Sequence, residues 1–313
     1  MEDLEAFLQI LKEPAPFESS EDRKACESLL GEFSIAEVEE IACVSYAYWK
    51  VQSSAQVELP VDAQKLSALK EIRRHYVGEG RIYDSALSAI REALEYRRTY
   101  DINAIRSCFY ESDVSTGEEA DRLERYRKFI LGDLEIQPMV VRGVDNQGRV
   151  IVYKPPRMSP GDDSGEAFLV TQVYTAERAV ATNEFTSGGK VERLTVVFNF
   201  DNYSRKNTPP MSSMLQMVRL LQRCYPERLR ILILINPPFW IRGAYNLVWP
   251  LLSTATAEKV SLPYGQAAVD VEFQKTIGSN EELKAMLANG DISSIDLKDY
   301  TQQPFYRLYE QTK

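Results

Sequence analysis

The sequence predicts an α/β protein in which a mixed, mostly parallel sheet follows an all-helical N-terminal region. Three observations predict it. From about residue 133 onward, β-rich runs alternate with helical patterns, a spacing that requires crossover connections and hence parallel strands. Before about residue 132, apolar residues recur only at helical spacings of three and four. Between them, Ile231 to Ile235 form an uninterrupted β-branched and leucine run, apolar on both faces as a central strand is.

The chain begins with Met1 to Pro14, acidic and without a basic n-region or cleavage site. It reads as a short amphipathic helix carrying Leu4, Phe7, Leu8 and Leu11, and not as a signal peptide. Ser34 and Glu37 form a capping box ahead of Ile35, Val38, Ile41, Ala42 and Tyr48, which starts a helix running to about Val51. Ser53, Ser54 and Pro60 mark a linker. Asp62 is placed to cap a helix carrying Leu66, Leu69, Ile72 and Tyr76 that stops near Gly78 and Gly80. Asp84 is placed to cap the next, with Leu87, Ile90, Leu94 and Arg97 along one side, and Glu118 to Leu131 form another. The expected organisation is therefore a helical extension over 1–60, a second helical region over 61–132, the α/β domain over 133–300 and a tail over 301–313.

In the α/β domain, Met139 to Val144 and Arg149 to Tyr153 flank Asp145-Asn146-Gln147-Gly148, a hairpin with turn-forming residues at its tip. Arg157 to Gly165 is the loosest stretch. Glu166 to Phe185 is helical, Gly188-Gly189 ends it, and Arg193 to Phe200 is a strand. Met211 to Cys224 is helical, and Tyr225-Pro226-Glu227-Arg228 turns the chain into the strand Ile231 to Ile235. Asn236-Pro237-Pro238 stops that strand, because proline cannot donate to a ladder. Ser261 to Ala268 precede a strand-like Val269 to Phe273. Phe239 to Leu252 has helical spacing, yet Phe239, Trp240, Ile241, Tyr245, Leu247, Val248, Trp249, Leu251 and Leu252 ring almost the whole circumference. A helix of that kind is a core helix, or it meets lipid or ligand. It is too short to span a bilayer, which takes about 20 residues.

Composition bounds the function. Of 313 residues, 44% are hydrophobic and 27% charged, ordinary for a globular chain able to bury a core. The net charge of −9 argues against nucleic acid as partner and against strong electrostatic docking on anionic membranes, leaving apolar insertion for any membrane contact. Cys26, Cys43, Cys108 and Cys224 are widely spaced, which fits a reduced, cytoplasmic setting and no metal site. The tools of an enzyme are missing, and no cofactor motif is present. His75 is the only histidine and sits among Arg73, Arg74 and Tyr76, a solvated surface position in preference to a general base. Cys224 and Arg230 have the spacing of a phosphatase thiolate and arginine, but Pro226 removes an amide from the loop that would cradle phosphate. Glu281-Glu282 and Asp162-Asp163 read as solvated charge.

Several motifs in fixed order then carry a resemblance: Tyr225-Pro226-Glu227-Arg228-Leu229, Ile235-Asn236-Pro237-Pro238, Trp249-Pro250-Leu251-Leu252 and Thr256-Ala257-Glu258-Lys259. Asp145 to Val150 and Asp84 to Arg97 add weaker support. Over roughly residues 60 to 300 the chain resembles the CRAL-TRIO lipid-binding family, which includes phosphatidylinositol/phosphatidylcholine, retinaldehyde and tocopherol transfer proteins. The resemblance implies a sheet floor with an apolar cavity for one lipid molecule, and Phe239 to Leu252 as a movable gate helix. A two-chain lipid has about thirty methylenes worth about 0.8 kcal/mol each out of water, so exchange is practical only where the gate opens at a membrane.

With that fold implied, the expected lipid contacts are Leu194, Val196 and Phe198 on the strand, Met211, Met214, Gln216, Met217, Val218 and Leu221 on the following helix, and Phe239, Tyr245, Val248, Trp249 and Leu252 on the gate. Ordinary core packing is the alternative for each. Trp240, Ile241 and Leu247 are expected to meet the membrane. Phosphatidylinositol-binding members of the family carry a glutamate and a lysine where this chain has Gln216 and Trp249. Phosphatidylcholine-binding members carry a hydroxyl pair where it has Leu194 and Val196, and Asn199-Phe200-Asp201-Asn202 replaces the Asp-Leu motif that follows. The closing Leu-Pro-x-x-x-Gly-Gly is replaced by Leu297 to Thr301. The expected cargo is therefore a sterol, an isoprenoid, a fatty-acid-like molecule or a phospholipid bound in an unusual way. The expected function is non-enzymatic binding and intermembrane transfer or presentation of that lipid, with transient membrane association. The alternative is an interaction module that keeps the fold without exchanging lipid and docks a protein partner through residues 1–60.

Overall fold

The computed structural model describes residues 2–42, 61–110, 116–136, 139–156, 165–248, 254–290, 292–293 and 295–309, with 244–248 described as helix backbone. The first half is helical. It comprises α1 (Glu2–Lys12), α2 (Ser20–Leu30), α3 (residues 35–42), α4 (Val61–Gly78), α5 (Tyr83–Thr99), α6 (Ile102–Ser107) and α7 (Glu118–Ile136). The capping box at α3 is formed, with the Ser34 amide donating to Glu37 Oε2 at 2.9 Å and the Glu37 amide to Ser34 Oγ at 3.3 Å. The caps expected at Asp62 and Asp84 are not. Both carboxylates lie inside the first turn, where they complement the helix dipole. The apolar stripe of α1 is not a free surface, because Phe7, Ile10 and Leu11 are buried and the Lys70 ammonium donates to the Ile10 carbonyl at 2.9 Å. The far end of the α3 helix, the expected linker at 53–60 and Cys43 lie outside the described residues.

The second half is a five-stranded sheet in order β1 (Val140–Val144), β2 (Val150–Lys154), β3 (Leu194–Asn199), β4 (Leu229–Ile235) and β5 (Val260–Ser261). The β1–β2 hairpin is antiparallel and the remaining pairs are parallel. Asp145 closes the hairpin by accepting from the Gln147 and Arg149 amides at 2.8 and 2.9 Å and from Thr195 Oγ1 on β3 at 2.8 Å. The connections are α8 (Gly165–Thr186), α9 (Met211–Cys224), and α10 (Phe239–Val248) with α11 (Thr254–Ala257). Right-handed crossovers stepping in one direction put these helices on one face of the sheet. The other face carries α13 (Glu281–Asn289), where Asn199 Nδ2 and the Tyr153 hydroxyl reach helix-end carbonyls at 2.9 to 3.2 Å. The loop Arg157 to Ser164 lies outside the described residues.

The structure differs from the sequence expectations in three places. Val269 to Phe273 is not a strand but part of α12 (Gln266–Thr276). Its Val-x-Val-x-Phe alternation suggests period two, yet only Val269 and Phe273, four apart, are buried, and Val271 is 71% exposed. The run Ile231 to Ile235 is apolar throughout but buried only from Ile233 to Ile235, with Ile231 and Leu232 half-buried. Residues 301–309 are not a loose tail. After the short α14 (Leu297–Gln302), Phe305, Tyr306 and Tyr309 enter the core, and the buried Arg178 guanidinium lies 3.8 Å over the Tyr300 ring while donating to the Tyr300 carbonyl at 2.8 Å.

Two buried ion clusters join the helical half to the sheet half. In one, Arg97 of α5 and Arg106 of α6 each donate to Glu177 of α8 at 3.0 Å, and the Tyr225 hydroxyl donates to the same carboxylate at 2.7 Å. In the other, Arg228 bridges Glu71 of α4 and Glu184 of α8 at 2.7 and 2.9 Å, while Arg74 pairs with Glu71 and Glu192. Burial would raise the Glu71 carboxyl, but Arg74 and Arg228 override it and hold it at about 2. His75 sits beside this cluster. It is buried, not solvated, and burial pushes it down to about 4, so it is neutral near pH 7.

Candidate functional site

The face of the sheet beneath α8, α9 and α10 is apolar and incompletely covered. Strand alternation puts Val152, Lys154, Leu194, Val196, Phe198, Leu232 and Leu234 on it. The Lys154 ammonium fixes its side by lying 5.9 Å over Phe168 of α8 and 5.3 Å over Phe198. Leu194 and Leu234 are buried, whereas Val196, Phe198 and Leu232 remain half-buried. The hydroxyl-bearing Thr195 points to the opposite face and is bonded to Asp145.

Helix α9 has two unlike sides. Ser213, Met217, Leu220 and Cys224 are buried against α5 and α8. Met214 and Val218 are half-buried, and Met211 and Leu221 are 39% and 38% exposed. At about 100° per residue these four form a separate apolar stripe. Among the expected contacts, Met211, Met214, Val218 and Leu221 therefore share a stripe, while Met217 belongs to the helix–helix core. Gln216 lies on a third flank. Its amide donates to the Tyr100 hydroxyl at 2.7 Å, beside a cleft of about 380 Å³ lined also by Tyr126, Glu166, Val170 and Ser213. Gly165 permits this packing, since a Cβ there would stand 2.2 Å from Ser213 Oγ.

The expected gate helix begins at a turn tied by one side chain. Asn236 ends β4 with φ of 48°, outside the range favoured by residues with a side chain. Its amide nitrogen Nδ2 donates to Asp201 at 2.8 Å, its Oδ1 accepts from the Gly265 amide at 2.8 Å, and its backbone amide donates to the Pro263 carbonyl at 3.0 Å. One side chain thus ties together three loops at the carboxyl edge of the sheet, around a cleft of about 430 Å³ lined by Phe200, Tyr203 and Tyr264. On α10, Phe239 is 80% exposed, Ile241 is half-buried, and Trp240 stacks on Tyr203 at 5.5 Å. Tyr245, Leu247 and Val248 lie on this helix. Trp249 and Leu252 lie outside the described residues.

The chemistry of the remaining candidates is inert. Burial pushes the Cys224 thiol up to about 12, the opposite of what a nucleophilic thiolate requires. Among the described residues no group of histidine, cysteine and carboxylate side chains could hold a metal ion, and no helix is long and apolar enough to cross a membrane. Sequence reasoning missed Asn236 as the residue that ties these loops, reading the Asn-Pro-Pro only as a strand stop. The signal was available in an asparagine, which tolerates positive φ, placed before two prolines.

Part of the chain matches a known domain. Residues 134–283 match the CRAL/TRIO domain. The Saccharomyces cerevisiae phosphatidylinositol transfer protein PDR17 is 30% identical over 131 residues, 40% of this chain and 36% of the relative. The Schizosaccharomyces pombe CRAL-TRIO domain-containing protein C23B6.04c is 23% identical over 209 residues, 66% of this chain and 18% of the relative. The chain thus matches about a third or less of the length of these curated relatives. The crystal structure of Sfh5 superposes with a TM-score of 0.49 at 14% identity, over 79% of this chain and 81% of that one. Over residues 134–283, just under half of its length, the chain is thus similar to the CRAL/TRIO domain.

Proposed function

We propose that the protein carries a single lipid molecule between the apolar face of β3 and β4 and helices α8 to α10, with α10 as the gate, and exchanges it at membranes without catalysing a reaction. The observation that carries this reading is the incomplete cover over Val196, Phe198 and Leu232, beside the part-exposed stripe Met211, Met214, Val218 and Leu221. Apolar side chains left half in water on two facing elements cost free energy unless something covers them, at about 25 cal/mol per Å². Methionine suits such a wall because its flexible thioether fits lipids of more than one shape.

The favoured cargo is weakly polar: a sterol, an isoprenoid, a fatty-acid-like molecule or a phospholipid held mainly by its chains. Three apolar residues, Leu194, Val196 and Phe198, line the strand on this face while Thr195 turns away, and neutral Gln216 is occupied by Tyr100. The name of PDR17 brings phosphatidylinositol in as the competing cargo. Native mass spectrometry of the purified protein tests both points. One weakly polar lipid per chain is expected. A spectrum of empty protein only would overturn the carrier reading, and mainly phosphatidylinositol would overturn the cargo assignment.

A further inference from the structure

The acidic excess of this chain is concentrated at one end of the fold. Residues 1–32 contain nine acidic and three basic side chains, so two thirds of the net charge of −9 lies in a tenth of the sequence. This segment, α1 and α2, is fixed at the amino edge of the parallel strands. Lys70 holds the Ile10 carbonyl, and Gly189, just before β3, lies so close that a Cβ there would stand 3.1 Å from Ile10 Cγ2. Arg81, in the turn after α4, reaches Asp22 at 3.2 Å, and the end of α4 at Gly78 approaches Pro226 just before β4.

The carboxyl edge, one strand length of about 20 Å away, has loops close to balanced in charge. Among the described residues its loops contain Arg205, Lys206 and Arg242 against Asp201, which is engaged by Asn236, and the sequence of the loop after β2 adds Arg157, Asp162 and Asp163. The exposed rings of Phe239 and Tyr264 lie there, with Arg242 5.0 Å over Tyr264. Basic side chains beside exposed aromatics suit the surface of an anionic bilayer.

Resting on the carrier reading above, we infer that this charge separation orients the protein on anionic membranes: the acidic α1–α2 end is turned away and the α10 end turned toward the lipid. The separation exceeds the screening length of about 8 Å at physiological salt. With the α10 end down, the acidic end therefore feels little of the surface potential, and with the molecule inverted it sits within it. The net charge thus selects an orientation more than it opposes binding.

Reversing charge at the acidic end tests this. Glu5, Glu21 and Glu27 are exposed, and the triple variant E5K/E21K/E27K removes the excess there. An environment-sensitive fluorophore is attached to Ser20→Cys on α2 or to Gly243→Cys on α10, in a Cys43→Ser background, since Cys26, Cys108 and Cys224 are buried. On vesicles of phosphatidylcholine mixed with phosphatidylserine, the α10 label is expected to respond and the α2 label to stay silent. In the triple variant the α2 label should respond and the α10 response should fall several-fold, with the α10 response unchanged on phosphatidylcholine alone. An equal α10 response in both proteins on the anionic vesicles would overturn the orientation while leaving the carrier reading intact. An α10 label silent on both vesicle types without the triple substitution would overturn the membrane-facing gate, and this inference with it.

Discussion

The Tyr225 hydroxyl donates to Glu177 Oε1 at 2.7 Å inside the protein, on a carboxylate already held by Arg97 and Arg106. Three elements converge on that one side chain: α5 and α6 from the helical half, and the turn into β4. Burial alone would raise the Glu177 carboxyl, and the two arginines instead hold it below the usual range. Removing the phenol hydroxyl by Tyr225→Phe should cost about 2 kcal/mol, the range for a hydrogen bond to a charged group. Glu177→Gln should cost more, about 3 to 5 kcal/mol, because it leaves two buried guanidinium groups short of a counter-charge. Denaturant midpoints of the two variants check the order. Equal losses would mean that the cluster does not act as a charged unit.

Acid should weaken the fold in two stages. His75 has its pKa depressed from 6.5 to about 4 by burial, so the unfolded chain takes up a proton there first and stability falls as pH drops from 6.5 toward 4. Glu71 is held at about 2 against an ordinary 4.5. Its contribution is complete above 4.5 and is lost as pH falls from there toward 2. Thermal melts of the parent protein and of His75→Gln separate the stages. The variant should lose the upper slope and keep the lower one, and an unchanged upper slope would remove His75 as its cause.

How much of this was legible in the sequence depends on how local the physics is. The hairpin at Asp145 to Gly148, the strands and the alternating helices follow from turn chemistry and periodicity within a few residues. Tyr225 to Arg228 was legible as a turn, but its work as a clip was not, because Arg228 finds partners 157 and 44 residues away in Glu71 and Glu184. His75 was misplaced for the same reason. A histidine that follows two arginines has a polar neighbourhood in sequence, and only the packing of α4 buries it. Val269 to Phe273 shows the converse, a local alternation that five residues cannot assign to a strand or a helix. At the candidate site, composition picks out the apolar residues of α9, but its two sides separate only once α5 and α8 are seen to cover Met217.

Gly165→Ala should destabilise the junction of α8 and α9. The new Cβ would stand 2.2 Å from Ser213 Oγ and 3.3 Å from its Cβ, so one helix must move or the serine must find another rotamer in a buried site. A loss of about 1 to 3 kcal/mol is expected, as for other overpacked sites. Adding Ser213→Gly removes both clashing atoms. The double variant should therefore recover most of the loss, and a simple sum of the two single effects would show that the contact is not the cause.

Asn236, read as the hinge of the proposed gate, makes a functional prediction. Asn236→Ala deletes the bonds to Asp201 and Gly265 and leaves a residue less suited to φ of 48° at the end of β4. The three carboxyl-edge loops would then be held by backbone bonds, by the Trp240 stack on Tyr203 and by Arg242 over the Tyr264 ring. Global stability should fall by about 1 to 2 kcal/mol, while local opening of α10 increases more steeply, because the lost contacts all bear on the segment that carries it. Hydrogen exchange should show faster exchange in residues 236–248 with β3 and the central part of α8 protected as before. If α10 is the gate, lipid transfer between vesicles should accelerate in the same variant, since opening and not binding is what the hinge restrains. Faster exchange of α10 amides with unchanged transfer would separate the hinge from the gate and assign release of the lipid to another element.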